Sequence, residues 1–298
     1  MKRALSILLA VILISGLLSS CAKKEETVQI GSAEVGKGTY EYFLSEAKKI
    51  NSDSPEADAE KAVLRYVAVN TKFEELNLSL NVSQKSLASK TANNYWHLFS
   101  DYYRQQGITK NDVYFVALSD EYLKAIIRSI YDTDGTNPIP EQAIKQYFSE
   151  NYVAYKAIIE LLQTTDEDGN ATELSEEKIK SVTKQFNQMK KSLDAGTSFE
   201  KVNDAYQAKG ADNEASSEQT MLLSSSSKAF PTGTFEEIMK IERESTGVFT
   251  AGKYIFLVER EGEFEDKSFY EQNRDDCLIA LGRQALEETL ESWAQSLK

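Results

Sequence analysis

Few side chains in this 298-residue sequence have the type and company that covalent or acid–base chemistry needs. There is one histidine, His97, and there are two cysteines, Cys21 and Cys277. His97 lies in Tyr95-Trp96-His97-Leu98-Phe99 with no Cys or second His nearby. A zinc site takes several such ligands together, so a packing or surface role is expected. Asp166, Asp168, Asn170 and Glu177 fit positions 1, 3, 5 and 12 of a calcium loop. Ala171 stands where that loop needs Gly for its sharp turn, and Gly169 falls two residues early, so a solvated insertion is expected. Cys277 sits beside Leu278 and Ile279 and reads as a small buried hydrophobe rather than a reactive thiol. Asn77-Leu78-Ser79, Asn81-Val82-Ser83 and Asn170-Ala171-Thr172 match glycosylation acceptors incidentally. No Gly-rich phosphate loop, nucleophile elbow or paired metal motif is present, and no cofactor or metal is expected.

Cys21 has a different setting. Met1-Lys2-Arg3 is a short positive segment, Ala4 to Leu18 is almost unbroken apolar sequence, and Leu18-Ser19-Ser20-Cys21 follows with small residues. A run of about 15 residues is too short to span roughly 30 Å of hydrocarbon comfortably, and its flanks are those of an export signal. Leu18-Ser19-Ser20-Cys21 resembles the lipobox of bacterial lipoproteins. That resemblance implies a signal peptide over 1–20, cleavage before Cys21, and diacylglycerol on its sulfur with fatty acyl chains such as palmitate. An ordinary cleaved signal with an incidental Cys is the alternative. Two or more acyl chains anchor stably where one binds marginally, so the rest of the chain is expected to work outside the cytoplasm, on a bacterial membrane surface. Ala22 fits either an inner or an outer membrane. Without residues 1–20, which carry Lys2 and Arg3 and no acid, 32 basic side chains stand against 47 acidic ones, a net charge of −15. That balance disfavours nucleic acid, whose binding rests on basic patches.

The elements that must carry any site read as largely helical. There are only four prolines and 14 glycines. Residues 21–36 form the lipid-bearing Cys and tether, with Val28, Ile30 and Val35 able to make a short hairpin around Gly31. Tyr40, Phe43, Leu44, Ala47 and Ile50 repeat at helical spacing. Ser54-Pro55 caps and opens a second helix running to about Leu76. A third helix follows Ser83 and stops at Gly107, and a fourth is capped by Thr109. Asp132-Thr133-Asp134-Gly135-Thr136-Asn137-Pro138 is the clearest break. Beyond it the pattern gives a helix over Glu141–Tyr152, a strand over Lys156–Leu162, a polar loop over Thr164–Glu177 and two amphipathic helices ending near Ala208. Residues 209–234 read as loop. A short helix over Phe235–Ile241, a strand over Lys253–Glu259 and a long helix from Ser268 to Leu297 complete the order.

That order resembles the extracytoplasmic foldases of the PrsA and SurA type, in which a parvulin-like prolyl isomerase domain is inserted into a helical chaperone domain completed by the last helix. Three stretches carry the resemblance: Pro140 to Phe148, similar to the helix leading into a parvulin domain; Leu193 to Val202, similar to the family's "K-x-G-x-x-F-x-x-L" junction; and Gly247-Val248-Phe249 with Gly252 to Glu259, similar to its closing strand. The resemblance implies an α+β chain, with a helical domain over 37–137 plus 268–298 and a parvulin-like α/β domain over 138–265. Active members commonly carry one His on the first strand and one on the last. By alignment those positions are Ile159 and Tyr254 here, and the family's acidic "G-G-D-L-G" segment has no counterpart in Ser216–Ser227. Phe235-Glu236-Glu237 resembles the family's "F-E-x-A". Phe230 and Phe235 are therefore candidates for an apolar proline pocket, with core packing as their alternative, and Tyr254 is a candidate hydrogen-bond donor. Isomerisation must stabilise a twisted amide against a barrier of about 18–20 kcal/mol, so pocket shape matters alongside the missing acids. A weak or absent isomerase is expected.

Tyr95, Trp96, Phe99, Tyr102 and Tyr103 supply more aromatic surface than one helix face needs, and are candidates for a peptide-binding groove. Packing on the last helix through Trp293 and Phe269 is the alternative. The expected function is an anchored chaperone for unfolded or exported polypeptides, possible as a homodimer. An active prolyl isomerase and a lipoprotein adaptor for one envelope partner are its rivals.

Overall fold

The computed structural model describes residues 26–166, 170–208, 217–262 and 267–298. Cys21 and the whole signal segment lie outside the described residues, as does Asp168. The chain divides into two compact units, residues 1–126 with 288–298, and residues 127–287.

The first unit opens with a hairpin of β1 (Thr27–Ile30) and β2 (Ala33–Gly36). Gly31 turns it at φ +57, and a Cβ there would meet the Leu297 carbonyl at 2.2 Å, so glycine is required twice over. Helices α1 (Lys37–Lys49), α2 (Pro55–Glu75) and α3 (Val82–Gln105) follow, then α4 (Lys110–Tyr131), which belongs to this unit as far as Ile126. Pro55 opens α2 with Ser54 before it, as the sequence predicts. The start of α3 lies two residues earlier than expected. Asn81 is its N-cap, and Asn81 and Gln84 satisfy each other's backbone N–H at 2.9 Å. Ile50, expected on the buried face of α1, is 75% exposed because α1 ends at Lys49 and the backbone turns away through Asn51 at φ 52. The hairpin and α2 enclose Ala33, Leu64, Ala68 and Ala294, with Trp293 and Leu297 packed against them.

The second unit contains α5 (Glu141–Asn151), β3 (Tyr152–Leu161), α6 (Glu176–Asp194), α7 (Phe199–Gln207), β6 (Ser217–Ser224), α8 (Thr234–Lys240), β7 (Ser245–Ala251) and β8 (Tyr254–Arg260). The long α9 (Lys267–Gln295) belongs to it as far as Glu287. Four strands form an antiparallel sheet in the order β6-β3-β8-β7. Alternate residues of β3 face opposite sides. Val153, Tyr155, Ala157 and Ile159 join Phe256, Val258 and Ile238 on the α8 side. Ile158, Ile255 and Leu257 pack with Phe186, Leu193, Val202 and Tyr206 of α6 and α7 on the other. Covered on both faces, β3 is apolar at most positions, with Lys156 and Glu160 as its charged interruptions.

Two expected loops hold strands. Thr164–Glu177 contains a hairpin of β4 (Gln163–Thr165) and β5 (Ala171–Glu173), and 209–234 contains β6. The first is short and mostly exposed, and β6 is an edge strand whose apolar residues are the adjacent Met221, Leu222 and Leu223, so neither shows an alternating hydrophobic pattern. Gly282 of α9 lies against Ile127, where an added Cβ would approach to 2.3 Å.

Candidate functional site

Helix α3 is amphipathic in an inverted way. Its buried positions are Ala88, Ala92 and Tyr103, two of them small. The large apolar side chains look outward: Leu87 is 48% exposed, Tyr95 44%, Leu98 70% and Phe99 38%. Residues i, i+8, i+11 and i+12 share one flank of a helix with about 3.6 residues per turn, so these four form one stripe. Its edge is ordered by ring contacts. Tyr95 stacks with Phe99 at 6.4 Å between centroids, and Phe99 meets Tyr103 edge-on at 6.0 Å. The Lys49 ammonium lies 4.8 Å from the Phe99 ring centre and 5.2 Å from that of Tyr102, a favourable contact with the ring quadrupoles.

Of the five aromatic candidates, Tyr103 is fully buried and Trp96 and Tyr102 are half-buried, while Tyr95 and Phe99 are exposed. Burial pushes the Tyr103 phenol up to about 12, so it stays neutral in the cluster. Their packing partners are Tyr42 of α1 and Ile108, Val113 and Tyr114 at and after the start of α4. Trp293 packs instead with the Leu64 and Ala68 cluster under the Lys72 ammonium. The expected alternative, packing of the α3 aromatics through Trp293, is thus not how they are held. Leu87 and Leu98, which complete the stripe, were not among the expected residues. At helical spacing Ala88 and Ala92 fall on the same arc as Tyr95 and Phe99, so the pattern alone does not say how far the exposed stripe extends toward Leu87 and Leu98.

A second candidate lies in the sheet-bearing unit. A pocket of about 500 Å³ is bounded by Ser224–Ser227 after β6, by Phe230 and Pro231, and by Phe235 of α8. Gly233, at φ +91, caps α8, and the Thr234 hydroxyl donates to the Pro231 carbonyl at 2.7 Å, which fixes the turn beneath the pocket. Phe230 meets Phe256 edge-on at 5.7 Å, and Phe256 stacks on Phe249 at 4.9 Å. Phe230 and Phe235 therefore come together at one pocket, as an apolar patch in a largely polar lining. Tyr254 packs against the same apolar cluster, 6.2 Å from Phe256, without lining the pocket. Ile159 pairs with Phe256 across β3 and β8 and is buried. Tyr155 lies in the buried cluster below, and burial pushes its phenol up to about 12 and keeps it neutral. The lining offers serine hydroxyls, hydrocarbon, and the exposed side chains of Lys228 and Glu236.

The remaining candidates resolve simply. His97 is exposed on α3. Asp166 accepts the Asn170 backbone N–H at 2.7 Å within the β4–β5 hairpin, and Glu177 lies in the first turn of α6. Cys277 is fully buried, and that burial, with Asp276 beside it, pushes its thiol up to about 11.

No family model matches the sequence, and no curated protein matches it. Among solved structures, foldase protein PrsA from Streptococcus pneumoniae is 12% identical over 92% of each chain, with a TM-score of 0.40. A foldase protein (PrsA) from Lactococcus lactis is 16% identical over 91% of this chain and 90% of its own, with a TM-score of 0.39. PrsA from Bacillus subtilis is 12% identical over 92% of this chain and 91% of its own, with a TM-score of 0.30. These are similarities to solved foldases at low superposition.

Proposed function

We propose that the chain is a membrane-anchored, extracytoplasmic chaperone that binds unfolded or exported polypeptides. A single observation carries this reading: α3 buries alanines and exposes Leu87, Tyr95, Leu98 and Phe99 in one stripe. A helix that keeps its large apolar residues partly in water forgoes a share of the burial worth about 1.5–3 kcal/mol for each, and contiguous apolar surface of that kind marks an interaction site. Extended or partly helical segments of a client would cover the stripe with their own apolar residues. The helical domain over 37–137 and 268–298 holds clients, and the parvulin-like domain over 138–265 offers a second binding surface. The lipid on Cys21 keeps both at the membrane, since net charge does not attract the chain to anionic lipid.

The test is suppression of aggregation of several unrelated unfolded proteins by residues 22–298, with Leu98→Ser/Phe99→Ser as the comparison. The variant is expected to lose most of the suppression with its melting temperature unchanged. Equal suppression by both proteins would overturn the assignment to α3, and protection of one protein alone would favour a dedicated adaptor.

The pocket at Phe230 and Phe235 favours a second reading, prolyl isomerisation through pocket shape without histidine. Exchange NMR on a proline peptide series, with no coupling protease, decides it. A rate above the uncatalysed one, lost in Phe235→Ala, makes the pocket an active site; no acceleration by folded protein leaves it a binding surface.

A further inference from the structure

The first unit holds a pocket that neither candidate site uses. It has a volume of about 470 Å³ and lies among β2, α1, α2 and the start of α4. None of its lining residues is Lys, Arg or His, whereas Glu34, Glu74 and Asp112 are acidic. Acidic side chains on a surface would mean little by themselves, but two buried groups make this a built site. Asp112 is 94% buried by its 6% exposure, and no cationic side chain pairs with it among the described residues. Its carboxylate accepts from the Thr39 hydroxyl at 3.2 Å and from the Thr109 N–H and hydroxyl at 2.8 and 2.6 Å. That is three bonds where a carboxylate has about four acceptor positions. The helix N-terminus offsets part of the charge; it supplies no fourth donor.

Asn70 is the second group. Its Oδ1 is fully buried and accepts no hydrogen bond from the chain, while the amide meets the Tyr66 hydroxyl. A buried acceptor without a donor costs about 1–3 kcal/mol. At the rim, Phe115 is 48% exposed and presents a ring face to whatever enters.

From this we infer that the pocket takes the guanidinium or primary ammonium group of a basic peptide. Such a group brings several N–H donors and no acceptor, which complements a pocket whose unsatisfied positions are acceptors. Its charge answers Asp112, Glu34 and Glu74, and its aliphatic stem or planar head lies against Phe115. An anion would face three carboxylates with no cation beside it. The inference rests on the polypeptide-binding reading only for the source of the cation.

Titration calorimetry on the full chain in neutral detergent tests it, with blocked Ala-Arg-Ala, Ala-Lys-Ala and Ala-citrulline-Ala peptides. Citrulline keeps the shape of Arg and removes the charge. The Arg or Lys peptide is expected to bind one-to-one, and the citrulline peptide at least about tenfold more weakly, the scale of one charge-assisted hydrogen bond. Glu74→Gln, an exposed change that leaves the fold alone, and Asn70→Leu should each weaken the Arg peptide several-fold. Equal binding of Arg and citrulline, no binding of any peptide, or binding indifferent to both substitutions would overturn the proposal. Aggregation suppression measured on the same proteins separates the two readings. Arg binding without suppression leaves the pocket and removes the chaperone, and suppression without Arg binding does the reverse.

Discussion

Single residues in this chain show how burial decides what a reactive group does. Cys277 has the type for nucleophilic or redox chemistry, yet it is fully buried and its thiol is pushed up to about 11, chiefly by that burial. The folded value is raised above an unfolded one near 8.5. The thiol therefore contributes stability that is complete below about pH 8.5 and is lost as pH rises toward about 11. Unfolding free energies of the wild-type chain and Cys277→Ala should converge over that range by on the order of 2 kcal/mol. Parallel curves would show that the thiol is free to ionise in place. Arg260 is the converse, a charge retained inside because it is needed there. Its Nη1 donates to the Met239 and Ile241 carbonyls at 2.8 and 2.7 Å, satisfying the end of α8. Arg260→Met should cost about 2 kcal/mol in denaturant unfolding, the usual scale for losing charge-assisted bonds. It should also shift the resonances of Phe235, because α8 forms one wall of the pocket.

At the scale of elements, the Asp132–Pro138 break is held by α9. Arg274 binds Asp132 at 3.1 Å, the Thr133 hydroxyl at 3.2 Å and Glu141 at 3.0 Å, and the Tyr270 hydroxyl donates to Glu141. Burial raises the Glu141 carboxyl, but the hydrogen bonds from Tyr270 and Arg274 more than offset it and hold it below its usual value. A depressed carboxyl contributes stability that is present above about pH 4.3 and is lost as pH falls through the folded value. Glu141→Gln should therefore be less stable than wild type at pH 7 and lose the difference below about pH 4, which acid titration of tyrosine fluorescence would read. A constant gap down to pH 3 would remove the network from the account. Arg274 and Glu141 are 133 residues apart, so no local pattern announces their meeting. The elements themselves were more legible. The 3.6 period gave the helices, Ser54-Pro55 a boundary, and the doubly covered β3 and β8 their apolar runs. Strand β6 was hidden because its apolar residues are only the adjacent Met221, Leu222 and Leu223, without alternation, and run into Ser224–Ser227. The α3 stripe was half legible: aromatic crowding pointed to the helix, but Tyr95 and Phe99 share their arc with the buried Ala88 and Ala92, and no pattern extended the stripe to Leu87 and Leu98.

At the scale of the whole chain, the first unit is discontinuous in sequence, closed by residues 288–298 from the far end. Those residues give it Ala294, Trp293 and Leu297 against Ala33, Leu64 and Ala68, and the Leu297 carbonyl accepts from the Ser32 N–H at 2.7 Å. Glu291 lies 3.4 Å from the Lys61 ammonium and 3.6 Å from Arg65, exposed pairs that add little. The apolar contacts are the larger part, because stripping them exposes residues that the hairpin and α2 cannot cover from their own sequence. A stop after Glu287 should therefore loosen the hairpin and α2 while leaving the four-stranded sheet intact. Hydrogen exchange on the truncated chain is expected to show protection lost in Thr27–Gly36 and across Val63–Val69 by a hundredfold or more, as about 3 kcal/mol of buried side chains corresponds to. Protection in β3 and β8 should stay within a fewfold of the full chain, since their partners β6, β7, α6 and α7 all lie within 127–287. Uniform loss across both units would mean that the chain folds as one cooperative block, with the α3 stripe and the acceptor-lined pocket stabilised by the sheet as much as by the helices around them. Loss confined to the hairpin and α2 would mean that the chain's last eleven residues govern whether the client-binding helices stand together at all.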